Sequence, residues 1–339
     1  MRAITRAITF ALAGFCSLAV VLSCVGAAKA DPVQIREAWV APGNWASIWL
    51  QKKDLAKHLG QSYAMDPVHY VGTPPMITAL ANNQAEIANL AYSTLGIAIE
   101  NAGLDDLRIV SDEFQDGVPG YYSQEYMVLK DGPIQKVEDL KGKVVATNAA
   151  GSAVDVAMKA MLHKHGLEPN RDYTVVEAPF PAMKAMLAEK KVDLIPAVLP
   201  FSYDPELKKI ARDLFVQREA IGVTDMIVWA ARKPFIDAHR PALVDFFEDT
   251  LRIVHWYEDP ANHEAAMQIL GDLVKRPPQT FSWAFTKQDC YHDPNLLPNL
   301  DALQKNIETT KELGFIKSSF DVKKYSDLSI VEEAAKRLK

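Results

Sequence analysis

Polar and apolar positions along this chain follow two rhythms. Val33 to Val40 partly alternates, the period-two pattern of a strand. After the turn Ala41-Pro42-Gly43-Asn44, apolar residues recur at helical spacing from Trp45 to Leu59 (Trp45, Ile48, Trp49, Leu55, Leu59). A short strand is predicted at Val68 to Val71, and a helix opens at Thr73-Pro74-Pro75, where proline's missing N–H costs nothing. Strands at Glu86 to Ala91 and Leu107 to Ser111 bracket a helix from Thr94 to Asn101. The rhythm restarts after Gly117-Val118-Pro119-Gly120. Strands at Tyr126 to Leu129, Lys143 to Thr147, Tyr173 to Val176, Val192 to Ile195 and Thr224 to Ala231 alternate with helices at Val154 to Leu162 and Ala182 to Ala188. From Pro241 onward nearly everything reads as helix. Repeated β-α-β units imply an α/β fold with mostly parallel sheets covered by helices, in two lobes, followed by a helical tail.

The first thirty residues follow a different logic. Arg2 and Arg6 precede an apolar stretch from about Phe10 to Val25, and Ala28-Lys29-Ala30 has the small-x-small form of a secretory cleavage site. Asp31 would then begin the mature chain, with an uncleaved anchor helix or lipidation at Cys24 as the alternatives. Removing residues 1–30 leaves 34 basic and 43 acidic residues and changes the net charge from −6 to −9. Cys16 and Cys24 leave with the leader. Cys290 remains alone, so no intrachain disulfide can form, and burial is its expected place. The acidic balance argues against a general nucleic-acid binder. No later stretch reaches the length of a membrane span. The reading is an exported protein of 339 residues before processing.

In open α/β sheets ligands bind beyond the carboxyl ends of the strands, so the strand-to-helix turns carry the functional signal. Three turns share a type: Pro42-Gly43-Asn44-Trp45, Tyr92-Ser93-Thr94 and Asn148-Ala149-Ala150-Gly151-Ser152. Each sets small polar residues at a helix start, where free N–H groups and the helix dipole favour an anion. The same residue types are ordinary helix caps, and Ser152-Ala153-Val154-Asp155 resembles a capping box. Aromatic residues cluster at the same edge: Trp45, Tyr92, Tyr121, Tyr122, Phe201 and Tyr203. No Arg or Lys lies in these turns or in Phe201-Ser202-Tyr203-Asp204.

The chain resembles the periplasmic substrate-binding proteins of ABC importers in the nitrate/sulfonate/taurine (NMT1/THI5-like) group. The resemblance rests on an early Trp after the first strand, on the segment from Pro75 to Ala88, and on Val137 to Thr147, a DLKGKxVA strand entry followed by Gly151-Ser152. It departs from the family at Asn83 to Ala88, where an acid-Ile-Asp ending is absent. The resemblance implies a two-lobed periplasmic-binding-protein type II fold that closes by hinge bending, with residues 31–120 and 226–339 in one lobe, residues 121–225 in the other, and crossings near Gly117–Gln124 and Gly222–Trp229. It carries ligand contacts onto Trp45, Ser93, Thr94, Gly151 and Ser152. Asn148, Phe201 and Tyr203 are added from their positions in the turns. It further implies a monomer in the periplasm that needs no cofactor and delivers a small organic anion to a permease and ATPase complex. Acidic Glu125, Asp155 and Asp225 would suit the amine of a zwitterion.

Two other readings share the fold. One is a receptor that presents its ligand to a sensor protein. The other is an enzyme like the pyrimidine synthases of thiamine metabolism, whose Cys-rich motif this chain lacks. A serine hydrolase is a poorer reading still, because there is no Gly-x-Ser-x-Gly elbow. His163-Lys164-His165 places two rings pointing apart, Cys290-Tyr291-His292-Asp293 reads as a loop rather than a metal site, and Met158, Met161, Met183 and Met186 read as core.

Overall fold

A computed structural model describes residues 31–40 and 48–338. The leader, Cys16, Cys24, the turn at residues 42–45 and Trp45 lie outside the described residues.

The first sheet has the order β2-β1-β3-β10-β4. Its strands are β1 (Val33–Trp39), β2 (Tyr63–His69), β3 (Ile87–Ala91), β4 (Leu107–Asp116) and β10 (Thr224–Arg232). β1 runs parallel to β2 and β3, as repeated crossover units require. β10 is antiparallel to both β3 and β4, because it returns to this sheet after the chain has built a second one. The helices α1 (Pro74–Ala81) and α2 (Tyr92–Glu100) supply the crossovers around β3. β3 is buried along its whole length, which explains its apolar run with a single amide, Asn89.

The chain leaves the first sheet after Asp116 and returns at Thr224. Between them lie β5 (Glu125–Leu129), β6 (Val144–Thr147), β7 (Thr174–Glu177), β8 (Ile195–Ala197) and β9 (Ala211–Val216). β5 sits between β8 and β9 with both pairings antiparallel, while β6 and β7 pair in parallel. Val145 bridges in parallel to Leu194, just before β8, and links the two sets. The helices of this part are α3 (Ala153–Lys164), α4 (Phe180–Ala188), α5 (Pro205–Ile210) and α6 (Gln217–Ile221). The strand β9 and the short helices α5 and α6 are absent from the sequence reading. Their segment is short and dense in charge, which hides its periodicity.

The C-terminal part is helical, as expected: α7 (Lys233–Glu258), α8 (His263–Val274), α9 (Leu300–Glu312) and α10 (Ser329–Arg337). α7 begins eight residues before Pro241 and breaks at His239 (φ −128°). The proline lacks an N–H and crowds the carbonyl one turn earlier. Beyond the break, Phe246 and Phe247 pack on Trp229 of β10, with ring centroids 5.7 Å away in both cases. Asp249 anchors the segment after Trp49: it accepts the N–H groups of Lys57 and His58 (2.9 and 2.8 Å) and the Tyr63 hydroxyl (2.8 Å). Of the four methionines expected in the core, Met158, Met161 and Met183 are buried and Met186 is half-buried at its edge. His163 and His165 turn to separate carboxylates, Glu168 and Glu138.

Candidate functional site

A cavity of about 140 Å³ opens where strand ends from both sheets converge. Val40 follows β1, Ala91 ends β3, Asp116 ends β4, Asn148 follows β6 and Val198 follows β8, and all five line it. Met226 and Ile227 reach the same edge from the antiparallel β10. This is the carboxyl-end location that α/β topology favours. One wall is apolar and aromatic, with Phe114, Tyr122, Phe180, Phe281, Trp283 and Phe285. The polar groups are Thr73, Asn89, Asp116, Gln124, Asn148, Ser152, Asp289 and His292. No Lys or Arg lines it among the described residues, and residues 41–47 contain none.

The residues named from the sequence divide at this cavity. Asn148 and Ser152 line it. Ser152 caps α3, accepting the Asp155 N–H at 3.4 Å, and donates its hydroxyl to Asn148 Oδ1 at 2.7 Å. Ser93, Thr94, Gly151, Phe201 and Tyr203 do not line it. Ser93 is fully buried and donates to the Gly151 carbonyl at 2.8 Å, so it ties α2 to the start of α3 directly. Tyr92 and Tyr126 make parallel ties to the carbonyls of Ala153 and Val154, both at 2.9 Å. Thr94 shares a hydrogen bond with Thr73 at 2.6 Å, and it is Thr73 that reaches the cavity. Gly151 adopts φ +76°, and its N–H goes to Asp155 Oδ2. Phe201 is half-buried in the turn Phe201–Tyr203. Tyr203 stacks on Trp283 (5.6 Å) and so supports the cavity wall from behind.

The acids expected to hold an amine are engaged elsewhere. Glu125 pairs with Lys208 and Asp155 with Lys159, both at 2.7 Å. Asp225 meets Asp112 inside the protein, and burial pushes both carboxyls up. None of the three lines the cavity. Asp116 does: it accepts Ser123 Oγ and the Gln124 N–H, each at 2.7 Å, and burial, offset in part by those bonds, pushes it up to about 6.

The run Cys290-Tyr291-His292-Asp293, read as a loop, proves to be part of the cavity wall through Cys290 and His292. The His292 ring lies 3.1 Å from the Glu113 carbonyl and 3.8 Å from Asp289. Burial disfavours its imidazolium, but the Asp289 and Glu258 carboxylates outweigh burial and raise its pKa. Burial, together with Asp116 and Asp289, keeps the Cys290 thiol well above its ordinary range. Trp283 and Asn89 were also missed: the first lies in the helical tail, the second inside an apolar strand, and neither stands in a strand-to-helix turn. Away from the cavity, His58, Asp245 and Glu248 bring potential metal-ligating atoms together. Arg337 and Arg252 already pair with those carboxylates at 2.9 and 2.6 Å, and their guanidinium charge opposes a cation there.

Comparison with known proteins agrees with the family named from the sequence. Residues 121–262 match the NMT1/THI5-like family model. No protein of curated function matches the chain by sequence. Among solved structures, it is similar to the alkanesulfonate-binding protein SsuA of Xanthomonas axonopodis pv. citri, bound to MOPS. That likeness has a TM-score of 0.70 and 17% identity, covering 88% of this chain and 99% of SsuA. It is also similar to the periplasmic nitrate-binding protein NrtA of Synechocystis PCC 6803, with a TM-score of 0.68 and 14% identity over 91% of this chain and 89% of NrtA. The desulfurization enzyme DszB has the same fold, with a TM-score of 0.65 and 12% identity over 91% of this chain and 100% of DszB. The chain thus has the α/β, two-lobed fold expected from its sequence.

Proposed function

We propose that this chain is a periplasmic solute-binding receptor that encloses a small organic molecule in the cavity and delivers it to an ABC importer. The observation that carries the reading is the cavity itself. It stands at strand ends of both sheets, is walled by aromatic rings, and holds a few placed polar groups, the usual makeup of a small-molecule site. SsuA and NrtA, which share the fold, bind a sulfonate and nitrate. The two stretches joining the sheets, residues 117–124 and 217–223, would serve as hinges between the lobes.

DszB raises the question of catalysis on this fold. Cys290 and His292 both line the cavity, but the thiol is held protonated and His292 is held toward its charged form, so neither is poised as nucleophile or base. This favours binding over turnover. The test is calorimetry with a panel of organic solutes, followed by small-angle scattering with a solute that binds and chemical recovery of that solute. A receptor returns it unchanged and gives a smaller radius of gyration. A chemically altered solute would overturn the reading, and capture by a sensor protein in place of a permease would redirect it.

A further inference from the structure

Asn89 is the polar residue of an otherwise apolar central strand, and it is 1% exposed while lining the cavity. Its Nδ2 donates to Glu113 Oε2 at 2.6 Å. The same oxygen accepts the Trp229 indole N–H. This fixes the orientation of the amide, since the reverse would set Oδ1 against the Glu113 carboxyl. Oδ1 is left with no hydrogen-bond partner. A buried carbonyl oxygen without a donor is costly, so a strand this well packed is not expected to carry one idly.

The charge around the cavity points the same way. Asp116 and Asp289 line it, and His292 is the lining group that can carry positive charge, already beside Asp289. The start of α3 also reaches it, through Ser152, Ala153 and Val154. That helix end is already met by the Asp155 carboxylate, which takes the Gly151 N–H at 2.8 Å and pairs with Lys159. A second full negative charge would therefore enter a site with no surplus positive charge. A cavity of about 140 Å³ is close to the ~150 Å³ that admits a benzene ring.

Resting on the receptor reading, we propose that Asn89 is the specificity-determining anchor of the cavity and that it selects a ring-sized apolar solute bearing a hydrogen-bond-donating nitrogen, neutral or cationic, over oxyanions. Oδ1 accepts the N–H of the solute. Asp116 offers a counter-charge to a protonated amine, and the aromatic wall takes the ring.

The test uses four probes with one body and different heads: benzylamine, benzamide, benzoate and benzenesulfonate. Binding of each to the mature protein is measured by calorimetry. The amine and the amide are expected to bind at least about tenfold more tightly than either anion, the worth of one buried hydrogen bond to a charged or polar head. Asn89→Leu should erase that preference. The probe series on the unaltered protein decides the matter even if that variant folds poorly. Benzoate or benzenesulfonate binding as tightly as the amine overturns the assignment of Asn89 while leaving the receptor reading in place. Failure of all four at millimolar concentration overturns the assignment as well, while the receptor reading is decided separately by the wider solute panel.

Discussion

Replacing Asp225 by Asn removes one of two buried carboxyl groups that meet between β4 and β10, the strands on either side of the excursion into the second sheet. Among the described residues, Asp225 is met only by the Asp112 carboxyl and, weakly, by the Asn299 backbone N–H, and the Asp112 Oδ2 contact from Gln115 is long at 3.4 Å. Burial pushes Asp225 up to about 7, and burial together with Asp225 holds Asp112 well above the carboxylate range. In the unfolded chain each titrates near 3.9. Between about pH 4 and pH 7 the folded protein therefore keeps a proton that the unfolded chain has lost. Stability is fully present below the unfolded pKa and falls as pH rises, by about 1.4 kcal/mol per unit for one such group. Over roughly three units, Asp225 alone lowers stability by as much as about 4 kcal/mol at neutral pH. Asn has no proton to lose, and its Nδ2 can donate to Asp112. Asp225→Asn should thus leave stability nearly unchanged near pH 4 and raise it near pH 8. Urea unfolding of both proteins at the two pH values gives the difference directly. Every titrating group apart from this pair is common to both proteins and cancels, and the relief of Asp112 on losing its acidic neighbour adds to the gain at high pH. An equal effect of the substitution at both pH values would show that the buried pair carries no such proton.

Four further outcomes follow from the same contacts. Asp249→Ala strips the acceptor from two backbone N–H groups and Tyr63 and leaves Arg252 without its buried partner, so a loss of about 3–5 kcal/mol is expected in denaturant unfolding. Gly151→Ala places a side chain at φ +76° with its Cβ 2.9 Å from Ile97 Cδ1; a cost of at least about 1–2 kcal/mol in the same assay is expected, and an unchanged midpoint would refute the strain. Ser152→Ala loses a long cap bond and the Asn148 contact, so stability should fall by no more than about 1 kcal/mol, while solute affinity measured by calorimetry falls with it. Trp283 lines the cavity and stacks on Tyr203, so its fluorescence should change when a solute binds; Trp283→Phe should remove most of that change, and a signal surviving in full would place the solute elsewhere.

Much of the architecture was legible in the residue pattern because strands and helices bury their faces with fixed periods. β1, β3, β5 and the helices on either side of β3 fall where alternation and helical spacing put them, whereas the helix expected from Trp45 to Leu59 is, in the described residues, a kinked 3-10 turn that ends at Leu55; the glycine-bounded restart at Gly117 marks where the chain leaves the first sheet. The family resemblance in Val137 to Thr147 points to the same fold. The helix-cap signal at Asn148 and Ser152 also led to the cavity, since a turn after a parallel strand must lie at the sheet's carboxyl edge.

Tertiary structure decided which polar groups face that edge. Ser93, Thr94 and Gly151 have the right residue types in the right turns, yet neighbouring backbone or side-chain groups take their polar atoms, which no local pattern reveals. Asn89 sits mid-strand in a run that reads as core. It becomes a candidate anchor only because Glu113 and Trp229, from two other strands, hold one end of its amide and leave the other unmet. Trp283, Cys290 and His292 come from the helical tail almost two hundred residues later. They reach the cavity because the tail folds back over the strand ends. Sequence proximity determines caps and periods. Pairing across distant segments determines which buried atom is left to meet a ligand, because hydrogen-bond satisfaction and charge balance depend on every group brought within a few ångströms.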